Sequence, residues 1–200
     1  MSGAGRRWTP GRLLRAAGRR LYSAGESRVY RMRAERAAAL AGGDEFARDA
    51  AGDFAHYAPD NAWDHPADVQ RAEVAARFRA GAHCYTLVEG GRLLHHSYLT
   101  APAATIQLDY GLGDYPLPPR SAKLWDDNTH TAARGRGLHQ ASLRRRARDA
   151  AHAPGVDWVY IVVRADNGPS RHNIEKVGFE HVHSARYASV LGVRVWGRRA

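Results

Sequence analysis

Two hundred residues, 44% hydrophobic and 25% charged, exclude a disordered or fibrous chain and are enough for one domain with a single buried core. The 30 Lys and Arg against 20 Asp and Glu give a net charge of +10, and every basic residue but Lys123 and Lys176 is arginine, so an anionic partner is expected: nucleic acid, an acidic membrane or a phosphate-rich coenzyme. Cys84 is the only cysteine and no apolar stretch reaches the roughly 18 residues of a membrane span, which excludes an intramolecular disulfide and a transmembrane helix and reads as a cytoplasmic protein.

Thr9-Pro10 reads as a helix cap with proline at the first helical position, and Leu13, Leu14, Ala17 and Leu21 recur at helical spacing through Tyr22. Residues 1–24 are thus expected to form a basic amphipathic extension on a single domain over residues 25–200. The arginine-rich start also suits an organellar transit peptide, the less favoured reading. Alternation from Ser27 to Arg33 predicts a first strand. Phe46, Ala50, Phe54 and Tyr57 fall on one face of a helix over Asp44 to Tyr57, and a second helix follows His65-Pro66 with Val69, Glu73 and Ala76 in register.

Period two then sets in: Cys84 to Glu89, a Gly90-Gly91 turn and Arg92 to Thr100 predict a hairpin. The stretch from Gly111 to Pro119, rich in Gly and Pro, predicts a loop without a regular element. Ala122 to Thr131 predicts a strand running into Arg134-Gly135-Arg136-Gly137 and a helix from Gly137. Val156 to Val163, an almost unbroken apolar run, predicts a strand covered on both faces. A short helix over Pro169 to Lys176 and a hairpin of Phe179 to Val190 with Val193 to Trp196 close the chain.

A glycine-containing loop between a strand and a helix start is an anion site, because unpaired N–H groups point outward and the helix dipole adds positive potential. Arg134 and Arg136 add full charges. The glycine spacing excludes a dinucleotide fold. Other pairs have blander readings. His95-His96 and His181-x-His183 lack a complete ligand set and read as surface strand histidines. Cys84 reads as a small buried apolar residue. Arg144-Arg145-Arg146 reads as a solvated helix face.

Two blocks resemble the GNAT superfamily of N-acyltransferases. Arg134-Gly135-Arg136-Gly137-Leu138-His139 resembles the family's coenzyme loop, R/Q-x-x-G-x-G/A, with His139 where glycine or alanine is usual. Ala165-Asp166-Asn167-Gly168-Pro169-Ser170 through Glu175-Lys176-Val177-Gly178-Phe179 is similar to the family's N-x-x-S … E-K-x-G-F ending. In order and spacing the match covers residues 82–197.

The resemblance implies an α/β (α+β) fold, a mixed, strongly twisted central sheet with helices on both faces, whose strands before the loop and at Val156 to Val163 splay to admit a pantetheine arm. It implies acetyl-CoA or another acyl-CoA as co-substrate, no metal, and direct transfer to an amine in a ternary complex. The diphosphate would sit on Arg134, Gly135, Arg136, Gly137 and Leu138, with His139, Asn167 and Ser170 alongside and one arginine of 144–146 reaching the adenosine 3′-phosphate. A backbone N–H within Asn128, Thr129 and His130 would polarise the thioester carbonyl. Asp126, Asp127 and His130 are the candidate bases; alternation sets Asp126 and His130 opposite Asp127 unless a bulge intervenes. Where the family often has a tyrosine to protonate the thiolate this chain has Ile174, which leaves Tyr187, His172 or solvent. A slighter resemblance to bacterial GNAT-like proteins of surface-polysaccharide biosynthesis points to an amino sugar or nucleotide sugar acceptor. The alternative is a GNAT scaffold without catalysis that binds RNA or another polyanion.

Overall fold

The glycine turn at Gly90-Gly91 joins two strands of alternating residues, and the hairpin it forms anchors one half of a large sheet. The computed structural model describes residues 22–61, 64–108, 113–190 and 193–199. In chain order these form β1 (Tyr22–Arg33), α1 (Ala34–Ala38), β2 (Ala47–Arg48), a 3₁₀ helix (Ala51–His56), α2 (Ala67–Arg79), β3 (His83–Glu89) and β4 (Arg92–Thr100). There follow β5 (Thr105–Gln107), β6 (Asp114–Pro116), β7 (Ser121–Thr129), a 3₁₀ turn (Thr131–Ala133), α3 (Leu138–Ala151), β8 (Trp158–Arg164), α4 (Gly168–Val177), β9 (Glu180–Val190) and β10 (Val193–Arg199).

Eight strands make one mixed sheet in the order β10-β9-β1-β8-β7-β4-β3-β2. All neighbours are antiparallel except β7 and β8, which run parallel and pair only from Ser121 with Trp158 to Leu124 with Ile161. Beyond those four pairs the two strands part. α1, α3 and α4 cover one face, where Leu124, Leu143, Val159, Ile161 and Ile174 share the main core. On the opposite face α2 and the first 3₁₀ helix pack over β3 and β4 through Phe54, Val74 and Tyr98. The β5–β6 arm packs over β8 and β1 on that same face through Ile106, Leu117 and Tyr160. A groove therefore runs between the two smaller cores, above the point where β7 and β8 diverge. The mixed sheet with helices on both faces is the expected fold class.

Several expectations need correction. No helix spans Asp44 to Tyr57. Asp49 adopts a left-handed φ of 59°, its N–H donates to the Cys84 carbonyl at 2.8 Å, and its carboxylate accepts from the Cys84 N–H at 3.0 Å. That docking turns Ala47–Arg48 into an edge strand and leaves only a 3₁₀ helix behind it. Phe46 and Phe54, expected on one helical face, are buried in different cores on opposite sides of the sheet. α2 forms where expected but is rotated: Gln70 and Val74 face inward and Val69 is 40% exposed. The Gly- and Pro-rich loop contains β6, which pairs with β5 and sets Leu117 into the third core. The helix expected over Thr9 to Tyr22 lies outside the described residues except for Tyr22, which opens β1 opposite Val190.

Candidate active site

Where β7 and β8 separate, a cleft of about 920 Å³ opens, lined by the C-terminal half of β7, the loop before α3, and the start of α4. Gly135 and Gly137 adopt φ of 80° and 77°, a region in which a side chain would be strained, and a Cβ on either would meet no protein atom within 4 Å. Their backbone is thus presented to open space. Gly137 caps α3 without any side-chain hydrogen bond, so the first-turn N–H groups of the helix face the cleft unspent. Arg134, Gly135, Gly137, Leu138, His139, Asn167 and Ser170 all line the cleft. Arg136 does not: its guanidinium is turned away to Glu89, at 2.8 Å. The Asn167 side-chain Oδ1 accepts from the Ser170 N–H at 3.2 Å and caps α4.

Of the three residues expected to offer a backbone N–H, geometry singles out Thr129. The His130 N–H donates to the Leu94 carbonyl at 2.9 Å, which makes His95 and Thr129 a pair whose own N–H groups point away from each other. Asn128, opposite His96, directs its N–H to β4, whereas that of Thr129 faces the gap toward β8.

A β-bulge interrupts β7 between Trp125 and Asn128, where two residues, Asp126 and Asp127, stand against the single Ser97 of β4. Asp126 takes the extra position with a left-handed φ of 51°. Aspartate tolerates this conformation better than most residues, and such strain concentrates at functional sites. The bulge leaves the two carboxylates on opposite faces. Asp126 points to the α2 face, where Arg77 donates to it; Arg77 also bonds Glu73 at 3.1 Å and lies 4.5 Å from the Tyr98 ring centroid. Asp127 points to the α3 face, where the Arg146 guanidinium donates to its Oδ1.

Arg146 is fully buried, which corrects the reading of residues 144–146 as a solvated face. Its remaining donors meet the Tyr98 carbonyl at 3.0 Å and the Ser142 hydroxyl at 3.2 Å, so the charge is both paired and hydrogen-bonded. Two imidazoles turn toward the same Asp127 oxygen, His139 Nε2 at 3.5 Å and His95 Nε2 at 3.9 Å. Asn173 donates to His139 Nδ1 at 3.1 Å, which places the imidazole proton on Nε2. His95 Nδ1 is 2.8 Å from the Thr129 hydroxyl. Burial pushes His95 well below the ordinary histidine range, aided by Arg146, and burial lowers His139 against the opposing pull of Asp127. Both rings stay neutral near pH 7. His95 and His96, expected on the surface, are only 1% and 5% exposed.

His130 sits at the end of β7 with Nδ1 3.2 Å from Asp60 Oδ2, an acid absent from the sequence-based site. Asp60 is 12% exposed. Burial raises its pKa, but hydrogen bonds from Thr131 and Asn61 and the neighbouring His130 outweigh that and hold it at about 2. Ile174 is fully buried in the main core. Tyr187 lies on β9 opposite Gly25, and its side chain is outside the described residues. Among the described residues no group of three or more His, Cys, Asp or Glu is arranged to hold a metal. Arg146 on the oxygen shared by His95, His139 and Asp127 makes that cluster hostile to a cation.

Parallel strands that part over a glycine loop at a helix start define a GNAT-type fold, the fold of the acetyltransferases of that name. No family model and no curated protein matches the sequence. Solved structures do match. A GNAT-family acetyltransferase from Colwellia psychrerythraea is 14% identical at a TM-score of 0.56, over 82% of this chain and 55% of that one. A tandem GNAT protein from the clavulanic acid biosynthesis pathway is 17% identical at a TM-score of 0.53, over 94% and 61%. A GCN5-related N-acetyltransferase from Sphaerobacter thermophilus is 10% identical at a TM-score of 0.52, over 90% and 56%. The chain thus spans less than two thirds of the length of these three structures.

Proposed function

We propose that the protein transfers an acyl group, acetyl by default, from coenzyme A to an amine. The observation that carries this is the cleft at the diverging strands, floored by an uncapped helix N-terminus and two left-handed glycines. The coenzyme's diphosphate lies on the amides of Gly135 to Leu138, supported by Arg134. Its pantetheine arm passes between β7 and β8 from the α3 and α4 side. The N–H of Thr129 donates to the thioester oxygen as negative charge develops there.

The acceptor enters by the groove on the other face. Of the candidate bases Asp126 faces that groove, while Asp127 is turned to the coenzyme side and tied to Arg146. Asp126 therefore takes the proton as the amine nitrogen bonds to the carbonyl carbon, and the C–S bond breaks when the tetrahedral adduct collapses. The thiolate is a stable leaving group, with a pKa of about 8.5 for a simple thiol, and takes its proton from Tyr187 or solvent. The test is thiol release from acetyl-CoA with a panel of amines, preceded by mass spectrometry of the purified protein for retained coenzyme. Acyl transfer to at least one amine is expected. Failure to bind any coenzyme A would leave the polyanion-binding alternative standing.

A further inference from the structure

Beside the cleft, between the start of β4 and the segment before α2, lies a chamber of about 10 Å³. It shares Asp64 and Asn128 with the cleft and is otherwise lined, among the described residues, by Tyr57, Ala58, His96, His130 and Leu93 to His95. That volume admits one water-sized group. Three features mark it as a place for a donor that carries positive charge.

The first is His96. Its ring is held by edge contacts to Phe54, Tyr57 and Tyr98, and it is 5% exposed, yet among the described residues neither ring nitrogen has a hydrogen-bond partner. His96 lines the chamber, so a donor held there can meet the ring. Burial, with help from Arg77, lowers the His96 pKa, so the neutral ring offers a lone pair.

The second is Asp64. Its four hydrogen bonds come from the N–H groups of Asp60 and Asn61 and the side-chain amides of Asn61 and Asn128, all neutral donors. No cation cancels its charge among the described residues. The third is the field. Asp60, Asp64, Glu73 and Asp126 surround Tyr57, whose phenol is pushed up to about 12 by burial and then by these carboxylates. The basic side chains facing them are Arg77, shared between Asp126 and Glu73, with His65 beside Glu73 and His130 beside Asp60. In a protein of net charge +10 this end of the cleft is acidic, while Arg134 and the start of α3 make the coenzyme end basic.

On the reading of the cleft as an acyltransferase site, we propose that the chamber receives a second, non-reacting primary ammonium group of the acceptor. The substrate class is then a linear alkyl diamine or polyamine. His96 accepts one ammonium N–H, the Asn128 and Tyr57 oxygens are placed to accept others, and Asp64 supplies the counter-charge. An anionic nucleotide sugar would meet repulsion at the same place.

Calorimetric titration of linear diamines, from diaminopropane to diaminohexane, and of the matching monoamines into the coenzyme-saturated protein tests this. At least one diamine is expected to bind tenfold or more tightly than its monoamine, about 1.4 kcal/mol. His96→Phe keeps the ring packing and removes the acceptor, and is expected to erase that preference while leaving monoamine affinity unchanged. Equal affinities throughout the wild-type series would mean that the chamber holds only water and would overturn the proposal, as would an unchanged preference in His96→Phe or tighter binding of a nucleotide amino sugar. The wild-type series decides even if the variant fails to fold. Absence of coenzyme binding would instead count against the reading of the cleft, and the same diamines titrated into the free protein would still report on the chamber.

Discussion

Asp126 and Asp127 are adjacent in sequence and opposed in space, and their surroundings assign them different work. Asp126 is 42% exposed, so Asp126→Asn is expected to leave thermal stability unchanged, because asparagine also accepts the left-handed backbone. With proton-accepting power gone, kcat/KM should fall by roughly 10²–10⁴. Asp127→Asn leaves the Arg146 charge buried without its counter-ion, a loss of about 3–5 kcal/mol in stability. Its effect on turnover should be small once the protein is folded. Thermal unfolding and steady-state rates on both variants check this, and a loss of turnover confined to Asp127→Asn would reverse the assignment. Alternation alone set the two acids on opposite faces, so that much was legible. Arg146 was not, since it looks like Arg144 and Arg145. The signal was the helical spacing of Ser142, Leu143, Arg146, Ala147 and Ala150, which places this arginine on the inner face of α3.

At the scale of elements, the strand, glycine loop and helix from Ser121 to Ala151 were readable because each carries its own local signal. The segment from Asp44 to Tyr57 misled because its apolar spacing fits a helix equally well, while its backbone is spent on the edge of β3 through Asp49. The same local blindness hid Asp60, which ties the segment before α2 to the end of β7 through Thr131 and His130. Asp60 has a folded pKa of about 2, below the ordinary value near 3.9. Its contribution is therefore fully present above about pH 4 and is lost as the pH falls toward 2, a change of about 2–3 kcal/mol. Asp60→Asn is expected to flatten acid unfolding across that window, as followed by circular dichroism with denaturant at each pH. An unaltered acid limb would show that the carboxylate is not held in this way.

For the whole molecule, internal ion pairs leave the net charge of +10 unchanged but tie down several arginines. Arg77, Arg136, Arg145, Arg146 and Arg148 are all in ion pairs with acids, which leaves the unspent helix N-terminus and Arg134 as the coenzyme end of a two-ended cleft. The order of strands adds a constraint that sequence could not supply. β1 lies between β8 and β9, so residues far from the cleft in sequence hold one of its walls. Deleting residues 1–21 is expected to leave coenzyme affinity intact, because both motifs that carry the coenzyme reading lie beyond residue 130, whereas deletion through Arg33 strips the partner from both β8 and β9 and should abolish cooperative unfolding. Gel filtration and calorimetry on the two truncations separate these outcomes. The central claim, that the backbone at the start of α3 holds coenzyme A, is tested most directly by calorimetric titration of coenzyme A into the wild type and Gly137→Ala. The position has open space for a Cβ but a φ of 77°, so the substitution strains and crowds the surface offered to the diphosphate without disturbing the core. Saturable binding by the wild type, weakened at least tenfold in the variant, is expected, about 1.4 kcal/mol. No binding by the wild type, or equal affinity in the two proteins, would contradict the account.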